Sequence, residues 1–334
     1  MEFKPYAKNQ VLITNLYDNG ETRTFDVSNL VENLQYSTIL MEAGKLTFNL
    51  HKDTQGFSTF NGSKVQFTRD NVGIFQGNIF KMGTDATDIY KIVAYDQMRY
   101  LKYEDVLFVN DITVSDLFVK ICTIFQLNNY KVVTPCNYKV PKKVYKGSLM
   151  DILKEQIRYA NYAEKKQYFI RDNYGTLEFN EYSNCKTELV IGDGSLLTSY
   201  QYEIGIDNNT YNQLVFYKED GKSKKLLKKV VKDSGTQKRW GVLQKTFEIP
   251  ENQNEEQLSE TAEKYLNYYN VESRTFKLSA LGVDGINAGS GIIGKIEKLN
   301  TNMNMLVTAA THNYTKDMHS MELDVWTVTN GGGN

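Results

Sequence analysis

GSGIIGKI, Gly289 to Ile296, is the segment whose residue types come nearest to known chemistry. It holds a G-x-G-x-x-G pattern and the G-x-x-x-x-G-K part of a phosphate loop. Either motif works only where a strand ends in a glycine turn and a helix begins, so that backbone N–H groups and the helix dipole meet the phosphate. Ile296 stands where a phosphate loop needs Ser or Thr, so no hydroxyl follows Lys295 to hold magnesium. IIGKIEKL alternates like a strand, and GVDGINAG before it reads as a loop. The glycines are therefore read as a β-turn between strands, where they supply positive φ.

The other reactive side chains are thinly spread. His312 and His319 lie near Asp317, Glu322 and Asp324, but no spacing matches a ligand pattern such as H-E-x-x-H. On alternating strands joined by a turn, these two histidines are expected as solvated side chains. Cys122, Cys136 and Cys185 form neither a C-x-x-C pair nor a disulfide framework, and are expected as buried free thiols. Glu255 and Glu256 open a helix, where they favour the macrodipole rather than form a glycosidase pair. No nucleophile elbow and no Cys/His signature is present. The expectation is no catalytic residue, no cofactor-binding residue, no metal ligand and no cofactor.

Charge excludes a second group of functions. The 334 residues carry 39 Lys and Arg against 40 Asp and Glu, a net charge of -1. A basic nucleic-acid binder is thereby disfavoured. KSKKLLKKVVK, Lys222 to Lys232, crowds six lysines and reads as an exposed hairpin arm, solvated or docked on an acidic neighbouring protein. No apolar stretch approaches the ~18 residues of a membrane span, and the N-terminus lacks the apolar core of a secretory signal.

Strands must position whatever function exists. Tyr numbers 23 and Phe 16 against 4 Pro, which favours strands over helical bundles. VLITNL, TFDV, KLTFNLHK, SKVQFTR, GIFQGNIFKM and DIYKIVAYD follow one another with glycine or polar turns between them, as in a small barrel or sandwich. Asn19-Gly20 marks the first hairpin. Helical spacing then appears at Leu117, Phe118, Ile121, Cys122, Ile124 and Phe125, with Thr113 or Ser115 as N-cap. Ser148 to Ala163 is the clearest helix, with Ser148 and Asp151 in a capping-box pattern and Leu149, Ile152, Leu153, Ile157 and Ala160 as its apolar stripe. A further helix is expected over Glu255 to Tyr269, and a hairpin turn at Asp172 to Gly175. A faint repeat links TFNL (Thr47 to Leu50) with TFKL (Thr275 to Leu278), then Gly62 with Gly289, then DIYKIVAY with MELDVWTV.

Four segments, VAYDQMRYLKYED (Val93 to Asp105), RWGVLQ (Arg239 to Gln244), INAGSGI (Ile286 to Ile292) and MHSMELDV (Met318 to Val325), together resemble one family. The chain looks like the baseplate hub protein of contractile phage tails, defective-prophage particles and R-type bacteriocins (tailocins). That resemblance implies a mainly β chain with α+β portions and no catalytic residues. It implies one tube-like β-barrel over residues 1–97, an α+β domain over 98–195 and a second barrel from 196–222 and 272–330. A lysine-rich hairpin and helix would be inserted at 223–271. It further implies a homotrimer that forms a pseudo-six-fold ring between tail tube and central spike. The partners would be the spike protein, the tube or tube-initiator protein and baseplate wedge proteins, with no sequence-specific nucleic acid and no membrane insertion. Such a chain is made in the bacterial cytoplasm and assembled into the baseplate of the particle. The alternatives are a cell-wall hydrolase of the tail tip and a carbohydrate-binding module using exposed tyrosines.

Overall fold

In KLTFNLH, Leu46, Phe48 and Leu50 are buried while the residues between them are only partly so, and strand after strand repeats this alternation. The computed structural model describes residues 8–52, 57–84, 86, 88–127, 129–207, 209–219, 226–248, 262–263 and 265–327. The chain divides into two units, Met1–Gln201 with Lys277–Val328, and Tyr202–Phe276 with Thr329–Asn334.

The first unit begins with β1 (Asn9–Leu16), β2 (Thr22–Asp26), β3 (Val31–Ile39), β4 (Lys45–His51), β5 (Lys64–Arg69), β6 (Val72–Thr84) and β7 (Ile89–Tyr95). They pair antiparallel in the order β2-β1-β5-β6-β7-β4-β3. Ile13 on β1 and Tyr36 on β3, far apart in that order, share one core with Phe48 and Phe67. The sheet therefore curls strongly around its apolar face. Among the described residues β2 and β3 do not pair, so the curl stays open.

An α/β section follows. It holds a 3-10 helix (Gln97–Lys102), β8 (Glu104–Val109), α1 (Val114–Ile124), β9 (Tyr130–Val132), β10 (Lys143–Ser148), α2 (Leu149–Glu164), β11 (Tyr168–Asn173) and β12 (Thr176–Glu181). The Thr113 hydroxyl accepts from Asp116 N–H, and the Asp116 carboxylate accepts from Thr113 N–H, a complete capping box for α1. At α2 only half of the expected box forms, with Ser148 Oγ accepting from Asp151 N–H at 3.3 Å. Lys165 ends α2 in the left-handed conformation. The whole predicted stripe of α2 is buried, against Leu117, Phe118 and Phe179. β8 and β10 form a two-stranded sheet, and β11-β12-β9 a three-stranded one. β13 (Lys186–Gly192) and β14 (Leu197–Gly205) come next.

The second unit is built on β15 (Gln213–Glu219), β16 (Leu226–Lys232) and β17 (Gln244–Glu248), with α3 (Ser234–Trp240) before β17. β15 lies between β16, its antiparallel partner, and β17, its parallel one. The expected lysine-rich arm thus forms one strand of a hairpin. Its Lys228 and Lys232 are exposed, while Lys222, Lys224 and Lys225 lie outside the described residues. So does the first part of the expected helix, Glu255 and Glu256 included. Its described end is helical and buries Ala262, Tyr265, Leu266 and Tyr269. Phe216, Phe247, Tyr265 and Tyr269 pack as a ring cluster, and Lys245 Nζ sits 4.8 Å from the Tyr211 and Tyr269 rings.

The chain ends in β18 (Ser273–Leu281), β19 (Gly291–Ile296), β20 (Thr301–Tyr314) and β21 (His319–Thr327). The order β5-β6-β7-β4-β3 recurs here as β19-β20-β21-β18-β14. Thr47 lies on β4 and Thr275 on β18, the corresponding strands. Gly62 and Gly289, just before β5 and β19, share a φ of +93°. β20 joins the two sets. Its residues 301–306 pair with β19, residues 309–314 pair with β3, and its other edge runs along β21. A register shift between Val307 and Ala309 separates the halves. The result is a mainly β chain whose largest sheet has 13 strands among the described residues.

Gly289 carries two constraints. Its φ is left-handed, and an added Cβ would stand 2.5 Å from Phe169 Cε2. Gly20, at φ +81°, has open space at that position. Gly289→Ala should therefore cost about 2–4 kcal/mol, strain plus overpacking. Gly20→Ala should cost about 1 kcal/mol, strain alone. Urea unfolding of both variants checks the difference.

Candidate functional site

His312 and His319 overturn the expectation of solvated side chains, because they are 1% and 7% exposed. On β21, His319 has the same parity as Met321, Leu323 and Val325, all inward. On β20, His312 follows Ala310 and precedes Tyr314 on the buried face beyond the register shift. Asp317, Glu322 and Asp324 are exposed, so strand parity separates these carboxylates from the histidines. Among the described residues no group of three or more His, Cys, Asp or Glu side chains is arranged to hold a metal.

The two rings form a directed chain. His312 Nε2 lies 2.7 Å from the Ile286 carbonyl, which can only accept, so that nitrogen carries the proton. His312 Nδ1 then accepts from His319 Nε2–H at 2.9 Å. His319 Nδ1 is left as a buried lone pair, 3.5 Å from Asp284 Oδ1. Asp284 also receives Arg69 Nη1 at 2.8 Å and the Tyr314 hydroxyl at 3.4 Å. Tyr314 stacks on His319 at 4.2 Å. Burial lowers the pKa of His312, and burial together with the neighbouring His312 lowers that of His319 to about 4. Both rings are neutral at pH 7. Two neutral imidazoles tied to a main-chain carbonyl link β20, β21 and the 282–290 loop; nothing in the cluster presents a nucleophile to a substrate.

The remaining sequence-singled residues are also structural in their surroundings. GIIGKI of the phosphate-loop-like segment is β19, followed by a single three-residue 3-10 turn (Glu297–Leu299) rather than an α-helix, and Lys295 is exposed. Gly291 and Gly294 lie under Tyr182 and Met305, where a Cβ would come within 2.9 and 2.4 Å. Cys122, Cys136 and Cys185 are free and buried, as expected. Burial pushes the Cys122 and Cys136 thiols up to about 12, so neither is a thiolate at neutral pH. No helix among the described residues is long and apolar enough to cross a membrane.

Two more of the quoted segments make similar joints. Asp96, 4% exposed, accepts from Met98 N–H at 2.9 Å, capping the 3-10 helix, and from Gly44 N–H at 2.7 Å in the β3–β4 turn. In the second unit, fully buried Asn212 donates to the Gly241 carbonyl at 2.8 Å and accepts from Leu243 N–H at 2.9 Å. Sequence reading placed Asp96, Gly241 and Leu243 in quoted segments but gave no signal that the Asp96 and Asn212 side chains fasten the main chain of distant loops. What stays open is the sheet itself: β2, β14 and, beyond β19, β13 end it with no further partner among the described residues. Unpaired N–H and C=O rows of this kind are sites for strand pairing with another chain.

The histidine pair predicts an acid-side effect. The folded pKa of His319 is depressed to about 4 from an ordinary 6.5, so the unfolded chain binds more protons between those values. The stability contributed by neutral His319 is complete above about pH 6.5 and is lost as pH falls toward 4. His319→Gln should be less stable than the unmodified chain at pH 7.5, and the gap should shrink by pH 5. Chemical unfolding of both at the two pH values measures it.

The family model described as YQBQ-like matches residues 34–326. Among curated proteins, the phage-like element PBSX protein XkdQ of Bacillus subtilis (strain 168) is 23% identical over 293 residues, covering 86% of either chain. Among solved structures, the 43 kDa tail protein of prophage MuSo2 from Shewanella oneidensis is similar with a TM-score of 0.68 at 10% identity, over 96% of this chain and 98% of that one. The E. coli c3393 protein, described as a type VI secretion component with structural similarity to T4 tail proteins gp27 and gp5, gives 0.54 at 9% identity, over 91% and 75%. At such identities the likeness to the two solved structures is one of fold: this chain has the fold of phage tail proteins. The family match runs from within β3 almost to the end of β21, and the chain belongs to the YqbQ-like family.

Proposed function

We propose that this chain is the structural hub of a contractile-tail or tailocin baseplate, a homotrimer whose ring joins the tail tube to the central spike. The observation that carries the reading is the repeated strand order, β3-β4-β7-β6-β5 and β14-β18-β21-β20-β19, within one chain. A chain with two copies of one unit meets a six-fold tube as three subunits, and a three-fold spike with the same three. The likeness to a phage-like element protein, to a prophage tail protein and to a type VI component supports that setting.

In this reading residues 1–97 form the first tube-like barrel and residues 196–222 with 272–330 the second, except that β15 within 196–222 pairs, among the described residues, only in the sheet of the second unit. Residues 98–195 are the α+β domain between them, and 223–271 an insertion. The ring closes by heterologous contacts, the first barrel of one subunit meeting the second of its neighbour. The free edges at β2 and β14 are the natural partners, and each contact should bury more than ~2,000 Å² to outlast contraction. Spike, tube initiator and wedge proteins are the proposed neighbours, and the chain has no enzymatic role.

Light scattering tests the assembly. Mixed with the spike protein, the chain should give a complex containing three copies, stable in moderate salt because apolar burial is little screened. A stable dimer, or a monomer that never enters a three-fold complex, would overturn the hub reading. Enzymatic inertness is tested separately. Peptidoglycan and nucleoside triphosphates should turn over only at background, unchanged by His312→Ala, His319→Gln or Lys295→Ala. A robust rate lost in any one of them would contradict a purely structural role.

A further inference from the structure

Asp96 does not stand alone behind its two N–H clamps. Asp172, at the end of β11, faces the same cavity of about 160 Å³, together with Tyr36 of β3, Tyr314 of β20 and the Gly44 turn. Asp172 Oδ1 accepts from Gly175 N–H at 2.6 Å, shaping the β11–β12 turn, while its Oδ2 is buried with no hydrogen-bond partner. Tyr36 is 4% exposed. The cations in the neighbourhood are committed elsewhere. Arg171 binds Glu178 of β12 at 2.8 Å, and Lys102 of the 3-10 helix binds Glu42 at 2.5 Å, which Lys154 of α2 also meets. Asp96, buried, and Asp172, half-buried with its Oδ2 enclosed, thus line one small cavity, and among the described residues no cation is hydrogen-bonded to either.

We infer that Asp96 and Asp172 hold a single negative charge between them at neutral pH, one remaining a carboxylic acid, and that this retained proton locks the α/β section onto the first sheet. Two like charges desolvated in one cavity repel, and keeping one proton is the cheapest escape when no counter-ion is bonded. Burial raises both groups, Asp96 further by the Asp172 charge and Asp172 to about 6, against the pull of the Gly175 and Gln97 N–H groups. The lock has a visible seat. Tyr174, in the same turn as Asp172, lies where a Cβ on Gly73 of β6 would be, 2.6 Å from its ring. The Tyr174 hydroxyl accepts from Gln66 Nε2 at 3.3 Å, and Gln97 Nε2 donates to the Gly175 carbonyl at 2.5 Å. Asp96 holds the facing side through Gly44 and Met98.

The sign is opposite to that of the histidines. A carboxyl raised in the folded chain binds more protons folded than unfolded, so its contribution is complete below about pH 3.8 and is lost as pH rises, for Asp172 through about 6. Asp172→Asn isolates the effect. The amide keeps Oδ1 for Gly175 and places a neutral Nδ2 at the unpartnered position. In thermal melts of the full chain, Asp172→Asn should match the unmodified protein at pH 4.5 and exceed it by several degrees at pH 8. A gap independent of pH, or a less stable variant at pH 8, overturns the inference. Should the variant not fold, infrared spectra of the unmodified chain in heavy water at pH 7.5 decide. A protonated-carboxyl carbonyl band is expected, and its absence overturns the proposal. Magnesium chloride or calcium chloride added alone at pH 7.5 should leave the melt unchanged. A rise that Asp172→Asn abolishes would mean that the pair holds a metal ion rather than a proton.

Discussion

The pairing of β20 on both of its edges is the constraint on which the largest sheet depends. Fourteen residues serve three neighbours: β19 and β3 in succession on one edge, and β21 on the other. Without the register shift at Val307/Ala309, the inward parity that buries Met305 and Val307 would not continue as Ala310, His312 and Tyr314. Tyr314 then reaches into the core of the first sheet, edge-on to Phe67 at 4.8 Å. The strand is therefore both a member of the second set and the eighth neighbour of the first. This continuity places the two copies of the strand order in one sheet.

The side chains that might have suggested chemistry serve the same end. His312 and His319 tie β20 and β21 to the Ile286 carbonyl. Asp96 ties the 3-10 helix to the β3–β4 turn, and Asn212 ties Gly241 to Leu243. Asp96, Asn212 and His312 each bond main-chain groups of a loop, and His319 is held through the His312 ring, which is how irregular loops can be fixed without leaving backbone groups unpaired. They fall in all four segments that carry the family resemblance or directly against them, so those segments are where distant loops are fastened. Two carboxyls raised by burial and two histidines lowered by it also give the fold opposing pH dependences, one lost on the alkaline side and one on the acid side.

Local structure was largely legible in the sequence, and long-range structure was not. Alternation gave β4, β5, β7 and β21, and the apolar spacing gave α1 and α2, because these signals lie within a few residues of one another. The parity of His319 with Met321, Leu323 and Val325 already implied burial, and the solvated reading ignored it. β20 hid its continuity because NMNMLVTAATHNY breaks its alternation at the register shift. α3 is a seven-residue helix held by the Asp233 cap, too short to show a period. Asp172 read only as a turn residue, since its second carboxyl neighbour lies 76 positions earlier in sequence, at Asp96. The repeat, by contrast, was visible as TFNL and TFKL, and the strand order that it implies is present.

The central claim is that two copies per chain and three chains make six positions around one axis. Electron microscopy of the chain bound to its spike protein, with averages viewed down the axis, tests it most directly. The account predicts a ring of six similar β-rich densities with true three-fold symmetry, alternate densities differing by the inserted second unit. A ring of any other count, or six densities related by exact six-fold symmetry, would contradict it.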